Sequence, residues 1–224
     1  MIRNQLQPVE VSFGDGLRGL TVRPISARAM FVLAHGAGAG MRHAFLESLA
    51  ATLGAVGIAS LRFDFPYLAR GRKAPDPPAV LYGAIRAAVA WAGQQGLPVL
   101  AGGKSMGGRM TTQASAEAPL EGVRGLVLVG FPLHAAGVEP NIRRAAHLPS
   151  VKAPMLFLQG TRDDLCDLAL LQPVLAALQP PPQLHIVEGA DHSFHVLKRS
   201  GRTDADVIAE LASEISAFAA RVCT

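Results

Sequence analysis

Three short stretches of this chain hold a serine, a histidine and an aspartate in settings suited to one kind of chemistry. Gly103-Lys104-Ser105-Met106-Gly107 fits G-x-S-x-G, the pattern of a sharp strand-to-helix turn with a serine at its apex. Such a turn strains the backbone at the serine, and a Cβ two residues to either side would meet the neighbouring strand or the incoming helix. The turn exposes Oγ and sets the N–H of Met106 beside it. A hydroxyl is a poor nucleophile at neutral pH, so it needs a base, and the base needs an acid to orient it.

The chain has seven histidines. His192, in EGADHSF at 188–194, falls between the last strand-like run and the last helix-like run, where an imidazole could be brought over the turn. His195 is its rival, three residues on. His43, His147 and His185 sit in helix, loop or strand settings that suit structural roles, and His134 suits a pocket wall. For the acid, LFLQGTRDD at 156–164 reads as a strand ending in a turn with adjacent aspartates. Asp163, three residues after the turn glycine, is preferred over Asp164. Its carboxylate could take the imidazole Nδ1–H and leave Nε2 facing the serine.

Negative charge developing on a carbonyl oxygen needs two N–H donors. Met106 offers one, at a helix start where the dipole also favours an anion. His35-Gly36-Ala37-Gly38-Ala39-Gly40 offers the other, with Ala37 the choice and Gly38 the alternative. These glycines do not form a phosphate cradle. Their spacing misses G-x-G-x-x-G, and no Gly-Lys-Ser/Thr closes them as in a P-loop.

The elements that must hold these groups follow from hydrophobic spacing. Apolar or alternating runs predict strands over 9–13, 19–23, 30–34, 58–63, 97–101, 125–129, 155–158 and 184–187. Gly14-Asp15-Gly16 marks a turn between the first two. Helical spacing covers 42–56, 80–94, 106–117, 167–178 and 204–222. An opening hairpin followed by alternating strands and helices implies an α/β fold with a mostly parallel sheet covered on both faces. In such sheets, chemistry gathers beyond the carboxyl ends of the strands, which is where all the candidate groups fall.

Composition narrows the classes. At 224 residues, half of them hydrophobic and 17% charged, the chain suits one domain, 1–224, with a large core and little disorder. The formal charge of +4 is diffuse. Its one cluster, Arg70-Gly71-Arg72-Lys73, has no interleaved aromatics and reads as a solvated loop, so no nucleic-acid partner is expected. Cys166 and Cys223 are the only cysteines and form no C-x-x-C pair, which suits a reduced, cytoplasmic protein. The first eight residues lack the apolar stretch of a signal peptide, and no run is long enough to span a bilayer.

The order Ser105, Asp163, His192 is that of α/β-hydrolases. More narrowly, the chain resembles the predicted hydrolases grouped with testis-expressed protein thirty and with the hydrolase-like domain of the third subunit of the non-specific-lethal chromatin complex. The similar stretches are HGAG at 35–38, LRFDFPY at 61–67, GGKSMGGR at 102–109, FPLH at 131–134, LFLQGTRDDLCD at 156–167 and GADHSF at 189–194. The chain is also distantly similar to dienelactone hydrolases, which use a cysteine where this chain has Ser105. The resemblance implies an α/β-hydrolase fold and a triad of Ser105, Asp163 and His192, but supplies no substrate.

The expectation is a serine hydrolase acting on an ester or thioester without metal or cofactor. Its competitors are a non-catalytic interaction module on the same fold, and a peptidase. Residues 131–153, after the strand that follows the serine turn, have room for a loop and one short helix near 141–146. No lid domain is therefore expected.

Overall fold

The computed structural model describes residues 6–223. Residues 1–5, which open the segment read as lacking a signal peptide, lie outside them. Eight strands form one sheet: β1 (Val9–Phe13), β2 (Leu17–Val22), β3 (Ala29–Ala34), β4 (Ile58–Phe63), β5 (Val99–Lys104), β6 (Val123–Val129), β7 (Met155–Arg162) and β8 (Gln183–Asp191). Their order across the sheet is β1-β2-β4-β3-β5-β6-β7-β8. β1 and β2 form the expected antiparallel hairpin and β2 pairs antiparallel to β4, while all other neighbours are parallel. The helices are α1 (Ala44–Ala55), α2 (Pro66–Ala69), α3 (Pro78–Gly93), α4 (Met106–Glu117), α5 (Leu168–Ala176) and α6 (Asp204–Val222).

The alternation of the strands divides the core in two. Phe31 and Leu33 of β3, with Leu100, Val127 and Leu156, face Leu46, Leu49 and Leu53 of α1 and Leu211 and Ile215 of α6. Met30 and Val32, with Ala101, Leu128 and Phe157, face Leu81 and Ile85 of α3, Met110 of α4 and Leu171 of α5. Burying both faces explains why the strands read as continuous apolar runs.

Several elements differ from their sequence boundaries. β5, β7 and β8 run on past their apolar stretches to Lys104, Arg162 and Asp191. α2 is an extra short helix with Pro66 in its first turn. The helix expected near 141–146 is a 3-10 turn at Arg143–Ala145, followed by another at Leu148–Ser150. With only these turns between β6 and β7, no lid is inserted there. Among the described residues, no helix is long and apolar enough to cross a membrane.

β3 and β5 are adjacent, but β3 leads through α1 to β4 on one side and β5 leads through α4 to β6 on the other. The loops leaving them diverge and open a crevice at the carboxyl ends of the strands.

Candidate active site

The backbone between β5 and α4 reverses at Ser105, whose φ of 52° and ψ of −117° are unusual for a residue with a side chain. The flanking glycines are sterically required. A Cβ on Gly103 would lie 2.2 Å from the Ala34 carbonyl oxygen, and one on Gly107 would lie 2.4 Å from the same atom. β5 and α4 can approach the end of β3 this closely only without those side chains.

His192 follows β8 directly. Its Nε2 is 2.9 Å from Ser105 Oγ, and its Nδ1 is 2.8 and 2.9 Å from the two Asp163 carboxylate oxygens. An ionised carboxylate only accepts, so Nδ1 carries the proton and Nε2 is free to accept from the serine. Asp163 is itself held. Its side chain is fully buried, one oxygen accepts the Leu165 N–H at 2.8 Å, and the other accepts from Gln159 Nε2 at 2.5 Å. Gln159 Oε1 in turn accepts the Phe131 N–H at 2.9 Å. Asp164 is exposed and takes no part.

The other histidines lie elsewhere. His195 pairs with Asp204 at the start of α6, which raises its pKa through that hydrogen bond. His185 pairs with Glu210. His147 bonds Thr112, and burial pulls its pKa down to about 4. His134 is buried and bonds the Ala135 carbonyl. His43, taken for a structural residue, caps α1 and also borders the cleft beside Ser105.

The loop after β3 passes close to Ser105, since a Cβ on Gly36 would lie 3.6 Å from the serine Cβ. It is braced by the end of β4 and the residues that follow. Arg62, 2% exposed, donates to the Met41 carbonyl at 2.8 Å, and Asp64 accepts the Met41 N–H at 2.7 Å. The Phe65 N–H donates to His35 Nε2 at 3.1 Å, so His35 Nδ1 carries the proton and donates to the Gly36 carbonyl at 2.6 Å. Burial lowers the His35 pKa and keeps this tautomer neutral. The Tyr67 hydroxyl accepts the Gly38 N–H at 2.9 Å. The Ala37 N–H donates to no group among the described residues. The N–H of Met106, first in α4, has no partner within the helix. The bracing role of LRFDFPY is not visible in composition or spacing, because its partners stand about a loop and a helix away.

Lys104 was also missed. Its ammonium lies beside the triad, donates to the His192 carbonyl at 2.6 Å and stands 5.5 Å from the Phe194 ring centre. Burial pulls its pKa down to about 8.

Ser105 and His192 open into a cleft of about 270 Å³ lined also by Ala37, Ala39, Phe45 and Leu46. A larger cavity of about 550 Å³ lies at the opposite end of the sheet, among Pro149, Pro181 and Phe218, and holds none of these groups. The basic loop at 70–73 is partly neutralised, because Arg70 and Arg72 both pair with the buried Asp76 carboxylate. Among the described residues, no group of three or more histidines, cysteines or acids stands together as metal ligands would.

Residues 27–220 match the family model described as an alpha/beta hydrolase domain. A dienelactone hydrolase from Anabaena variabilis is similar over 99% of this chain and 100% of its own, at 27% identity and a TM-score of 0.76. An α/β serine hydrolase without a lid from Xanthomonas campestris aligns over 95% of each chain, at 19% identity and a TM-score of 0.72. The esterase domain of a Rhodothermus marinus protein covers 97% of this chain and 99% of its own, at 17% identity and a TM-score of 0.71. The last two likenesses establish the fold. With the family match spanning most of the sequence, this chain belongs to the α/β-hydrolase domain family.

Proposed function

We propose that this chain is a serine hydrolase that cleaves an ester or thioester through an acyl-enzyme intermediate. The reading is carried by the continuous hydrogen-bonded line from Ser105 Oγ through the His192 imidazole to the buried Asp163 carboxylate.

Ser105 Oγ attacks the substrate carbonyl carbon while His192 Nε2 takes its proton. Asp163 stabilises the resulting imidazolium and holds its tautomer. The oxyanion is received by the N–H groups of Met106 and Ala37, both uncommitted and both beside the serine. Collapse expels the alcohol or thiol, which takes the proton from Nε2, and the acyl group remains on Ser105. Water then attacks the acyl carbon with His192 again acting as base. The bond from that carbon to Ser105 Oγ breaks, Oγ takes the proton back from Nε2, and the carboxylic acid leaves. The neutral His35 and the Tyr67 hydroxyl act at one remove by fixing the loop that carries Ala37. The two thiols are unpaired, which supports a reducing, cytoplasmic setting.

The test is labelling with a fluorophosphonate followed by peptide mapping, with an ester and thioester panel run on the same samples. Ser105 is expected to be the sole labelled residue. Ser105→Ala is expected to lose labelling and at least about a thousandfold in kcat, keeping only what binding and the oxyanion donors supply. Label retained on the alanine variant would overturn the assignment.

A further inference from the structure

Lys104 is half-buried, yet no carboxylate among the described residues lies within ion-pair distance of it. Asp163 and Asp191 act on it from further away, at the ends of β7 and β8, and favour its charge against the burial that disfavours it. An ammonium partly withdrawn from water without a close counter-ion is costly.

The surroundings are shaped to this group. Gly130, at the end of β6, leaves room for it, since a Cβ there would lie 3.0 Å from Nζ and 3.3 Å from the Phe194 ring. Phe194 keeps a φ of 64° and presents its ring to the ammonium on one side while stacking on Phe45. The rest of the turn is fastened to Asp191. The Ser193 and His195 N–H groups donate to its side chain, and the Phe194 N–H donates to its carbonyl. The carbonyl of His192 is held instead by Lys104.

We infer that Lys104 is a positioning residue for the proposed hydrolysis: its ammonium, one residue before the nucleophile, grips the main-chain carbonyl of His192 and sets the base over Ser105. The inference rests on the hydrolase reading above. It ties the base to the strand that carries the serine, so the 2.9 Å separation between Nε2 and Oγ does not depend on the β8 turn alone. A charge-assisted hydrogen bond is roughly twice as strong as a neutral one, so the grip weakens when the amine loses its proton. The groups facing it are Asp163, Asp191 and His192, and Lys104 is charged below about pH 8 and neutral above it.

The experiment measures kcat and KM for p-nitrophenyl acetate across about pH 6–10, together with fluorophosphonate labelling, in the wild type, Lys104→Met, Lys104→Gln and Ser105→Ala. The wild type is expected to lose kcat as pH rises through about 8. Lys104→Met is expected to fall roughly ten- to a hundredfold in kcat, as a displaced base would, with KM nearly unchanged and the alkaline limb gone. Lys104→Gln keeps a donor without the charge. It is expected to fall between the two and also to lack the limb. Methionine and wild-type rates within about threefold of each other, with matching pH profiles, would overturn the inference. Should the methionine variant fail to unfold cooperatively, the glutamine variant is judged in its place. A wild-type profile flat above neutrality, together with variant rates within about threefold of wild type, overturns the inference in either case. Label retained on Ser105→Ala would instead sink the hydrolase reading, so the two failures are distinguishable.

Discussion

Ser105 carries a side chain at a positive φ that glycine would adopt freely, and such positions cost of the order of 1–3 kcal/mol each. The strain persists because Oγ must project from the turn, and glycine has no Oγ. The neighbouring groups are chosen as narrowly. Asp163 and Asp164 are chemically identical, but one is buried against His192 and Gln159 and the other faces solvent. Asp163→Asn is therefore expected to fold and to lose about 10³–10⁴-fold in kcat, because an amide N–H facing Nδ1 forces the proton onto Nε2. Asp164→Asn is expected to stay within about twofold of wild type, as exposed substitutions usually do. Steady-state kinetics on the pair decides it, and an exchange of phenotypes would place the acid one residue later.

At the scale of elements, the site is held by glycines where strand, turn and helix crowd together. Gly107→Ala would push a methyl to 2.4 Å from the Ala34 carbonyl oxygen and 2.7 Å from that of His35. Nothing there can yield without moving β3 or α4. The expected cost is about 1–3 kcal/mol of stability, with a loss of activity as the Met106 N–H shifts. Gly83, exposed within α3, has nothing within 4 Å of its would-be Cβ. Gly83→Ala is expected to stabilise the protein by about 0.4–1 kcal/mol. Urea unfolding of both variants checks the opposed signs, and a shared sign would refute the steric account. Elements were legible in sequence where burial governs them, and less so near the site. The apolar run of β7 ends at Leu158 but the strand continues to Arg162, and that of β8 ends at Val187 but the strand reaches Asp191. Backbone pairing between β7 and β8 continues past these apolar runs to Arg162 and Asp191, and it needs no apolar side chain to do so.

For the whole molecule, the consequence is an uncovered site. The connection between β6 and β7 contributes only two 3-10 turns, and the cleft beside Ser105 measures about 270 Å³, near the lower end for small-molecule pockets. Short or medium acyl chains are expected to be turned over in solution. Hydrolysis of a sparingly soluble ester, followed through its solubility limit, should saturate smoothly. A sharp rise once aggregates form would contradict an open site.

The sequence by itself determined the class of fold and narrowed the chemistry to a few side chains. Ser105, His192 and Asp163 each follow or end a recognisable strand, and local patterns such as G-x-S-x-G reflect local steric limits. Tertiary structure decided what depends on contacts between distant segments. The Gly38 N–H donates to the Tyr67 hydroxyl, 29 residues away, and Lys104 donates to the His192 carbonyl, 88 residues away. Such bonds leave no periodicity along the chain. They arise only when a parallel sheet brings the ends of separate strands to one edge, and a single hydrogen bond there commits a group that the sequence leaves free.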